Sequence, residues 1–151
     1  MEGNGALRYL GGFAAGFVAT LVFHQGILAL LTGIHYIDAT TFPQQPTAPF
    51  GVPAIWSLAF WGGVWGLIFV AAEVWFPRGA GYWIVAVLFG AIFPTLVAWF
   101  VVFPLKGMAM AGGFRASALV TGLAVNGAWG LGTGLFLRAF CGAREAEGVF
   151  R

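Results

Sequence analysis

Long stretches of this chain carry almost no formal charge. Between Arg8 and Glu73 the only charged side chain is Asp38, and residues 79–105 and 116–137 contain none. A charged side chain at the centre of a lipid bilayer costs about 2.5–3.5 kcal/mol, so membrane-spanning segments exclude such residues. The pattern therefore indicates an integral membrane protein.

Composition and segment length limit the architecture to helices. Hydrophobic residues make up 60% of the chain and charged residues 8%, whereas soluble domains contain about 25% charged residues. A helix needs about 20 apolar residues to cross the hydrocarbon layer. Four segments meet this length: 9–34, 52–72, 82–105 and 116–137. They are apolar on every face, unlike the alternating strands of a barrel. We predict an all-α integral membrane protein, a single domain in which four transmembrane helices form a bundle.

Basic residues predict the orientation of the chain. Five of the seven lie at the amino terminus, in the loop 73–81 or in the carboxyl-terminal tail, and the other two, Lys106 and Arg115, lie on the opposite side. Cytoplasmic loops are enriched in Lys and Arg, so we expect both termini in the cytoplasm. The first apolar segment exceeds the roughly 7–15 residues of a signal peptide, which favours a membrane anchor. The basic residues are scattered, so we expect no nucleic-acid partner.

Two short sequences occur twice. The second and fourth segments share the pattern Gly-x-Trp-Gly-Leu, at 63–67 and 127–131, and the first and third share Thr-Leu-Val, at 20–22 and 95–97. We interpret these matches as two tandem helical hairpins. Each hairpin contains an even number of spans, so the two copies would form a parallel pseudo-repeat about an axis along the membrane normal.

Pairs of glycines at four-residue spacing occur in three of the four segments. The six glycines are Gly12, Gly16, Gly62, Gly66, Gly130 and Gly134. Residues at this spacing lie on one helix face, and small residues there let another backbone come close, which is how helices associate in lipid. We predict that all six are helix-packing residues and that some of these faces contact another chain. The alternative is that every face is used within the chain.

A polar layer is predicted near the bilayer centre. Its members are His24, Gln25, Thr95 and Asn126, beside Pro94. At about 1.5 Å per residue, His24 and Asn126 lie roughly 15 Å inside the outer ends of their helices. Polar side chains at this depth either hydrogen-bond across helices or line a path for a substrate, proton or ion. The aromatic content of 17% leaves a haem, chlorin or quinone site as a third alternative.

The connection 35–51 is the one long loop, and it is expected on the outer face. Its candidate contact residues are Phe42, Pro43, Pro46, Pro49 and Phe50. The prolines favour an extended, polyproline-like path. Such an arm would dock on another subunit, and the alternative is a connector that lies along the membrane surface.

We find no motif for catalysis or metal binding. The sequence has no nucleophile elbow, phosphate loop or cluster of metal ligands, so we expect no enzymatic activity, no metal site and no cofactor. Glu73 is interpreted as a charge at the membrane interface, and Cys141 as a spectator thiol. Met108 and Met110 lack a nearby His or Cys that would support copper binding.

Two loose motifs carry a resemblance. Residues 16–20 read Gly-Phe-Val-Ala-Thr, and residues 129–134 read Trp-Gly-Leu-Gly-Thr-Gly. With these motifs the chain resembles small bacterial inner-membrane proteins with four helices, and the resemblance implies a bacterial cytoplasmic membrane and no particular activity.

Three functions stay open. The first hypothesis is a non-catalytic membrane subunit that packs through its glycine faces and the loop 35–51 into a homo-oligomer or a larger membrane complex. The alternative is a small transporter or channel that uses the polar layer around His24 and Asn126. The third is a binding protein for a pigment, haem or quinone. The expected partners are the lipid bilayer and either copies of the chain or other membrane subunits.

Overall fold

The structure is a computed structural model that describes the backbone of residues 2–149 and the side chains of residues 5–141. Helix α1 consists of an α-helical part at Glu2–Ala19, a π-helical turn at Thr20–His24 and a second α-helical part at Gln25–Gly33. Helix α2 covers Ala54–Ala72 and ends in a 3-10 turn at Glu73–Trp75.

The second half of the chain follows the same order of a broken helix and a continuous one. Helix α3 is α-helical at Ala80–Val97, has a π-helical turn at Ala98–Val102 and ends at Phe103–Leu105. A 3-10 turn at Met110–Phe114 leads into helix α4, Ala116–Val149.

Four helices are long and apolar enough to cross a membrane. These stretches are Gly5–Gly33, Ala54–Trp75, Ala80–Leu105 and Ala116–Cys141. The prediction of an all-helical protein with four such helices is confirmed, and the chain is a multi-pass membrane protein by this criterion. Residues 5 and 141 lie at the same end of the structure, which we call the terminal face. The opposite end, with the connections 34–53 and 106–115, is the loop face.

Helices α1 and α2 are in backbone contact. A Cβ added to Gly16 would clash with the carbonyl oxygen of Gly62, and one added to Gly66 would clash with the carbonyl oxygen of Gly12. Glycine is therefore required for the two helices to lie this close. In lipid, where apolar surface gains nothing by leaving water, such contact supplies the packing energy of a helix pair.

Helices α3 and α4 pair in the same way. A Cβ on Gly90 would clash with the carbonyl oxygen of Asn126, and one on Gly130 would clash with that of Ala86. The two pairs are joined between α1 and α4, where the indole N–H of Trp129 donates to the carbonyl oxygen of Gly16 at 3.0 Å.

Aromatic rings fill the space between α2 and α3. Phe69 of α2 lies edge-to-face on Phe89 of α3, with ring centroids 5.3 Å apart, and Trp65 lies 6.4 Å from the same ring. Phe69 also meets Trp129 of α4 at 6.4 Å. Such pairs contribute about 0.5–1.5 kcal/mol beyond the burial of their surface. The centre of the structure is therefore closed by packed rings.

The close contact between α1 and α2 predicts that one methyl group added at Gly16 destabilises the protein. Gly16→Ala is expected to lower the free energy of unfolding by about 1–3 kcal/mol, the usual cost of overpacking, because the new methyl group meets a backbone carbonyl. The measurement is unfolding in detergent, followed by circular dichroism.

Gly26→Ala is the matched control, because Gly26 lies in the same helix and a Cβ there has no atom within 4 Å. This control should be neutral or more stable by up to about 1 kcal/mol, since alanine favours a helix. Equal effects of the two substitutions would contradict the close contact.

Candidate functional site

All six glycines predicted to pack helices face other helices of the same chain. Gly12 and Gly16 lie against α2, Gly62 and Gly66 lie against α1, and Gly130 lies against α3. Gly134 also faces α3, where a Cβ would lie 3.2 Å from the ring of Tyr82. These faces are therefore occupied within the chain, and contact with another chain has to use a different surface.

The predicted polar layer separates into two groups. In the first, Nδ2 of Asn126 donates to Oγ1 of Thr95 at 2.9 Å, and this hydroxyl donates to the carbonyl oxygen of Gly122 at 3.2 Å. Thr95 is fully buried, and Pro94 beside it is also buried. This group joins α3 to α4 and satisfies its own hydrogen bonds, as interhelical polar contacts in membranes do.

The second group lies on α1, directly after its π-helical turn. Gln25 is 1% exposed, and its Oε1 accepts a hydrogen bond from the backbone N–H of Phe42 at 2.7 Å. Its Nε2 lies 3.4 Å from Nδ1 of half-buried His24. Among the described residues no hydrogen bond joins Gln25 or His24 to Asn126. Gln25 thus holds the loop 35–51 and takes no part in the α3–α4 contact.

The loop 35–51, which we call the outer segment, folds back against the helices. The short strand β1, Pro46–Thr47, lies in the outer segment and pairs antiparallel with the strand β2, Val52–Pro53, which directly follows the segment. The first amides of α2 donate to it: that of Ala54 to the carbonyl of Gln45 at 2.9 Å and that of Ile55 to the carbonyl of Pro43 at 2.8 Å. The segment thus folds back on the chain instead of extending from it as an arm, because Gln25 and the start of α2 both bind it.

The outer segment reaches well below the loop face. Gln25 precedes Gly33, where α1 ends, by eight residues, which corresponds to roughly 12 Å along the axis of α1. The charged residues of the loop face, Asp38, Lys106 and Arg115, all lie at the ends of helices or in the connections. The outer segment therefore lies beside the last turns of α1, at the level where α2 begins with Ala54.

The other side of the outer segment is open. Phe42 is 45% exposed and Phe50 is 87% exposed, and Gln44 and Gln45 are also exposed. Of the remaining predicted contact residues, Pro46 and Pro49 are exposed and Pro43 is half-buried. The outer segment thus exposes both apolar rings and amide groups, and no part of residues 5–141 covers them.

A network at the terminal face was missed by the sequence analysis. Glu73, interpreted there only as an interfacial charge, accepts from Arg8 of α1 at 2.5 Å and from the hydroxyl of Tyr82 of α3 at 2.7 Å. The guanidinium carbon of Arg138, in α4, lies 3.8 Å from the centroid of the Tyr82 ring. The network therefore links the ends of all four helices. The sequence offered one signal for this network: Glu73 is an acidic residue at a segment end on the side where most basic residues lie.

No protein-family model, curated protein or solved structure matches this chain. Within residues 5–141, no three His, Cys, Asp or Glu side chains lie close enough together to hold a metal ion. The function therefore has to be inferred from the outer segment, the buried polar pairs and the terminal network.

The hydrogen bond between Asn126 and Thr95 predicts that the hydroxyl of Thr95 contributes more to stability than the hydroxyl of Thr121. Thr95→Val is expected to lower the free energy of unfolding by about 1 kcal/mol, since it leaves the amide of Asn126 without its acceptor. Thr121→Val in α4 is the control, because the buried hydroxyl of Thr121 has no hydrogen-bond partner in the described structure. Its loss should be neutral or stabilising.

Detergent unfolding is measured for Thr95→Val, for the control Thr121→Val, for Asn126→Leu and for Thr95→Val combined with Asn126→Leu. The double substitution should cost less than the sum of the single ones, because they remove the same bond. Additive effects would contradict a direct interaction between the two side chains.

Proposed function

We propose that this chain is a non-catalytic subunit of a membrane assembly and that it contacts its partner through the outer segment. The observation that carries the proposal is an exposed, non-helical segment packed beside the last turns of α1. Its inner side is bound by Gln25 and by the start of α2, and its outer side presents Phe42 and Phe50.

Lipid alone is a poor environment for this surface. Hydrocarbon offers no hydrogen bonds, so non-helical backbone that enters it is tolerated only where protein buries it or where it lines a water-filled cavity. The exposed side chain of Gln45 makes no hydrogen bond within the described residues. An amide that stays unpaired in an apolar medium costs several kcal/mol. A partner or water must therefore reach the segment.

The aromatic residues favour a protein partner over water. Phe50 is the most exposed of the large apolar side chains described. Water would satisfy the amides of Gln44 and Gln45 but would leave the rings of Phe42 and Phe50 exposed to it. A protein surface covers both, since aromatic anchors surrounded by polar groups are typical of protein interfaces.

The proposal includes a setting that the basic residues support. Arg8, Arg78 and Arg138 lie at the terminal face, where they favour a cytoplasmic position for both termini. We place the chain in a bacterial cytoplasmic membrane, as the resemblance implies. Its partner is a second copy or another membrane subunit.

We also propose that the two hairpins are a parallel pseudo-repeat. The added Cβ of Gly62 would meet Oγ1 of Thr20, and at the corresponding positions Asn126 binds Oγ1 of Thr95. Gly66 and Gly130, which match in the repeated pentapeptide, each lie against a backbone carbonyl of the partner helix. The first helix of each hairpin also carries a π-helical turn. These correspondences support a duplicated helical hairpin.

A small transporter or channel is the second candidate, and the same segment favours it. If water instead of protein covers the outer segment, a polar route would lead from the loop face to His24. The rings of Phe69, Phe89 and Trp129 close the centre of the structure below this point. Transport would therefore require these rings to move.

The exposed ring of Phe50 provides the test of assembly. Phe50→Ser is expected to reduce the assembled species, purified from native membranes in mild detergent, to the 16.0 kDa single chain. Light scattering and native mass spectrometry measure the mass. Leu105→Ser is the control, because Leu105 is 82% exposed at the end of α3, next to the other connection of the loop face. A wild-type chain that runs alone, or equal effects of both substitutions, would overturn the proposal.

Cysteine labelling separates a protein partner from water. Gln44→Cys in a Cys141→Ala background should resist a membrane-impermeant thiol reagent in native membranes and react after dissociation in harsh detergent. Lys106→Cys, in the connection 106–115 of the loop face, is the accessible control because Lys106 is exposed and lies outside the outer segment. Rapid labelling of residue 44 in intact membranes would instead favour a water-filled route and the transporter.

A further inference from the structure

The guanidinium group of Arg138 is fixed at the terminal face by two aromatic rings. Its central carbon lies 3.8 Å from the centroid of the Tyr82 ring and 5.0 Å from that of Trp83. Both rings belong to the first turns of α3, and Tyr82 is itself buried. The side chain of Arg138 is exposed, so the edge that carries its N–H donors is accessible.

The nearest acidic side chain is already engaged. One oxygen of Glu73 accepts from Arg8 and the other accepts from the hydroxyl of Tyr82. Glu73 is the only acidic residue of this face within residues 5–141, whereas Arg8, Arg78 and Arg138 all lie there. Within residues 5–141, this face therefore carries three cations and one anion.

The guanidinium group of Arg138 lies at a level where lipid phosphate groups are expected. Tyr and Trp side chains settle at the level of the lipid headgroups, so rings that hold Arg138 place its donors at the level of the lipid phosphates. A guanidinium group binds a phosphate with two parallel hydrogen bonds, and stacking on rings limits the directions in which its donors point. In a phospholipid whose headgroup has no ammonium group, the headgroup does not neutralise the negative charge of the phosphate. This charge can then pair with the guanidinium group.

We propose that Arg138, stacked on Tyr82 and Trp83, binds the phosphate of an anionic phospholipid at the terminal face. The aromatic rings position the guanidinium, and the two oxygens of Glu73 are engaged by Arg8 and Tyr82. The site lies at the opposite end of the chain from the outer segment. It is thus independent of the assembly proposed above.

Lipid retention in native mass spectrometry tests the site. The full chain is reconstituted in nanodiscs of phosphatidylcholine with a minor share of phosphatidylglycerol, and the retained phosphatidylglycerol is counted. Arg138→Gln is expected to lower its apparent affinity about fivefold, the effect of one basic residue near an anionic surface. Arg115→Gln, which removes an exposed cation of the loop face, should leave retention unchanged. Equal retention by the two variants would overturn the proposal.

A conservative variant distinguishes the ring-held geometry from charge alone. Arg138→Lys keeps the charge and loses the planar donor pair, so its retention should fall between wild type and Arg138→Gln. Retention equal to wild type would contradict the stacked site. Trp83→Leu should also lower retention, and unchanged retention would contradict the role of the ring. Detergent unfolding of each variant must match wild type, so that a loss of fold is recognised.

Inorganic phosphate distinguishes a lipid from a soluble anion. Free phosphate added to the wild-type nanodiscs is expected to leave the retained phosphatidylglycerol unchanged, because a soluble ion lacks the anchoring of the acyl chains. Displacement of the lipid by free phosphate, with the same sensitivity to Arg138→Gln, would overturn the lipid assignment in favour of a soluble phosphate ligand.

Discussion

The structure depends on the need to satisfy every polar group without water. In hydrocarbon, apolar surface gains nothing from leaving the solvent, and an unpaired amide or carbonyl is costly. The carbonyl of Gly16 shows how the chain meets this constraint. It accepts from the hydroxyl of Thr20 at 2.9 Å and from the indole of Trp129 at 3.0 Å, at a point where the absence of a side chain lets α2 lie close. One glycine thus joins α1 to both of its neighbours.

The same constraint makes the two ends of the chain different. At the terminal face, Glu73 distributes its two oxygens between Arg8 and Tyr82, and these bonds join α1, the end of α2 and α3. At the loop face, α2 begins late and the outer segment takes its place beside α1. Gln25 satisfies only the amide of Phe42 there, and the outward amides of Gln44 and Gln45 stay exposed. The loop face thus leaves exposed amides for the partner that we propose.

The sequence predicted what depends on composition and local spacing. The four apolar segments and the glycine pairs follow from charge exclusion and from the four-residue period of a helix face, which are local properties. The separation of the polar layer could not be predicted in this way. Gln25 and Asn126 have similar depths in their helices, but a side chain's partner depends on its direction, and the π-helical turn at Thr20–His24 alters that direction. The bonds of Glu73 likewise join residues that are 65 positions apart in one case and 9 in the other.

The path of the outer segment follows from the lengths of the helices it connects. Helix α1 continues for nine residues from Gln25 to Gly33, whereas α2 begins with Ala54 bonded to a carbonyl beside the strand β1. The chain must therefore descend from the end of α1 to the start of α2, and it does so without helical hydrogen bonds. Prolines at 43, 46 and 49 suit this descent, because each lacks an amide N–H that would need a partner in the apolar layer. The proline content that first favoured an extended arm thus has another explanation. It reduces the number of donors along a stretch of backbone that runs beside α1 without forming a helix.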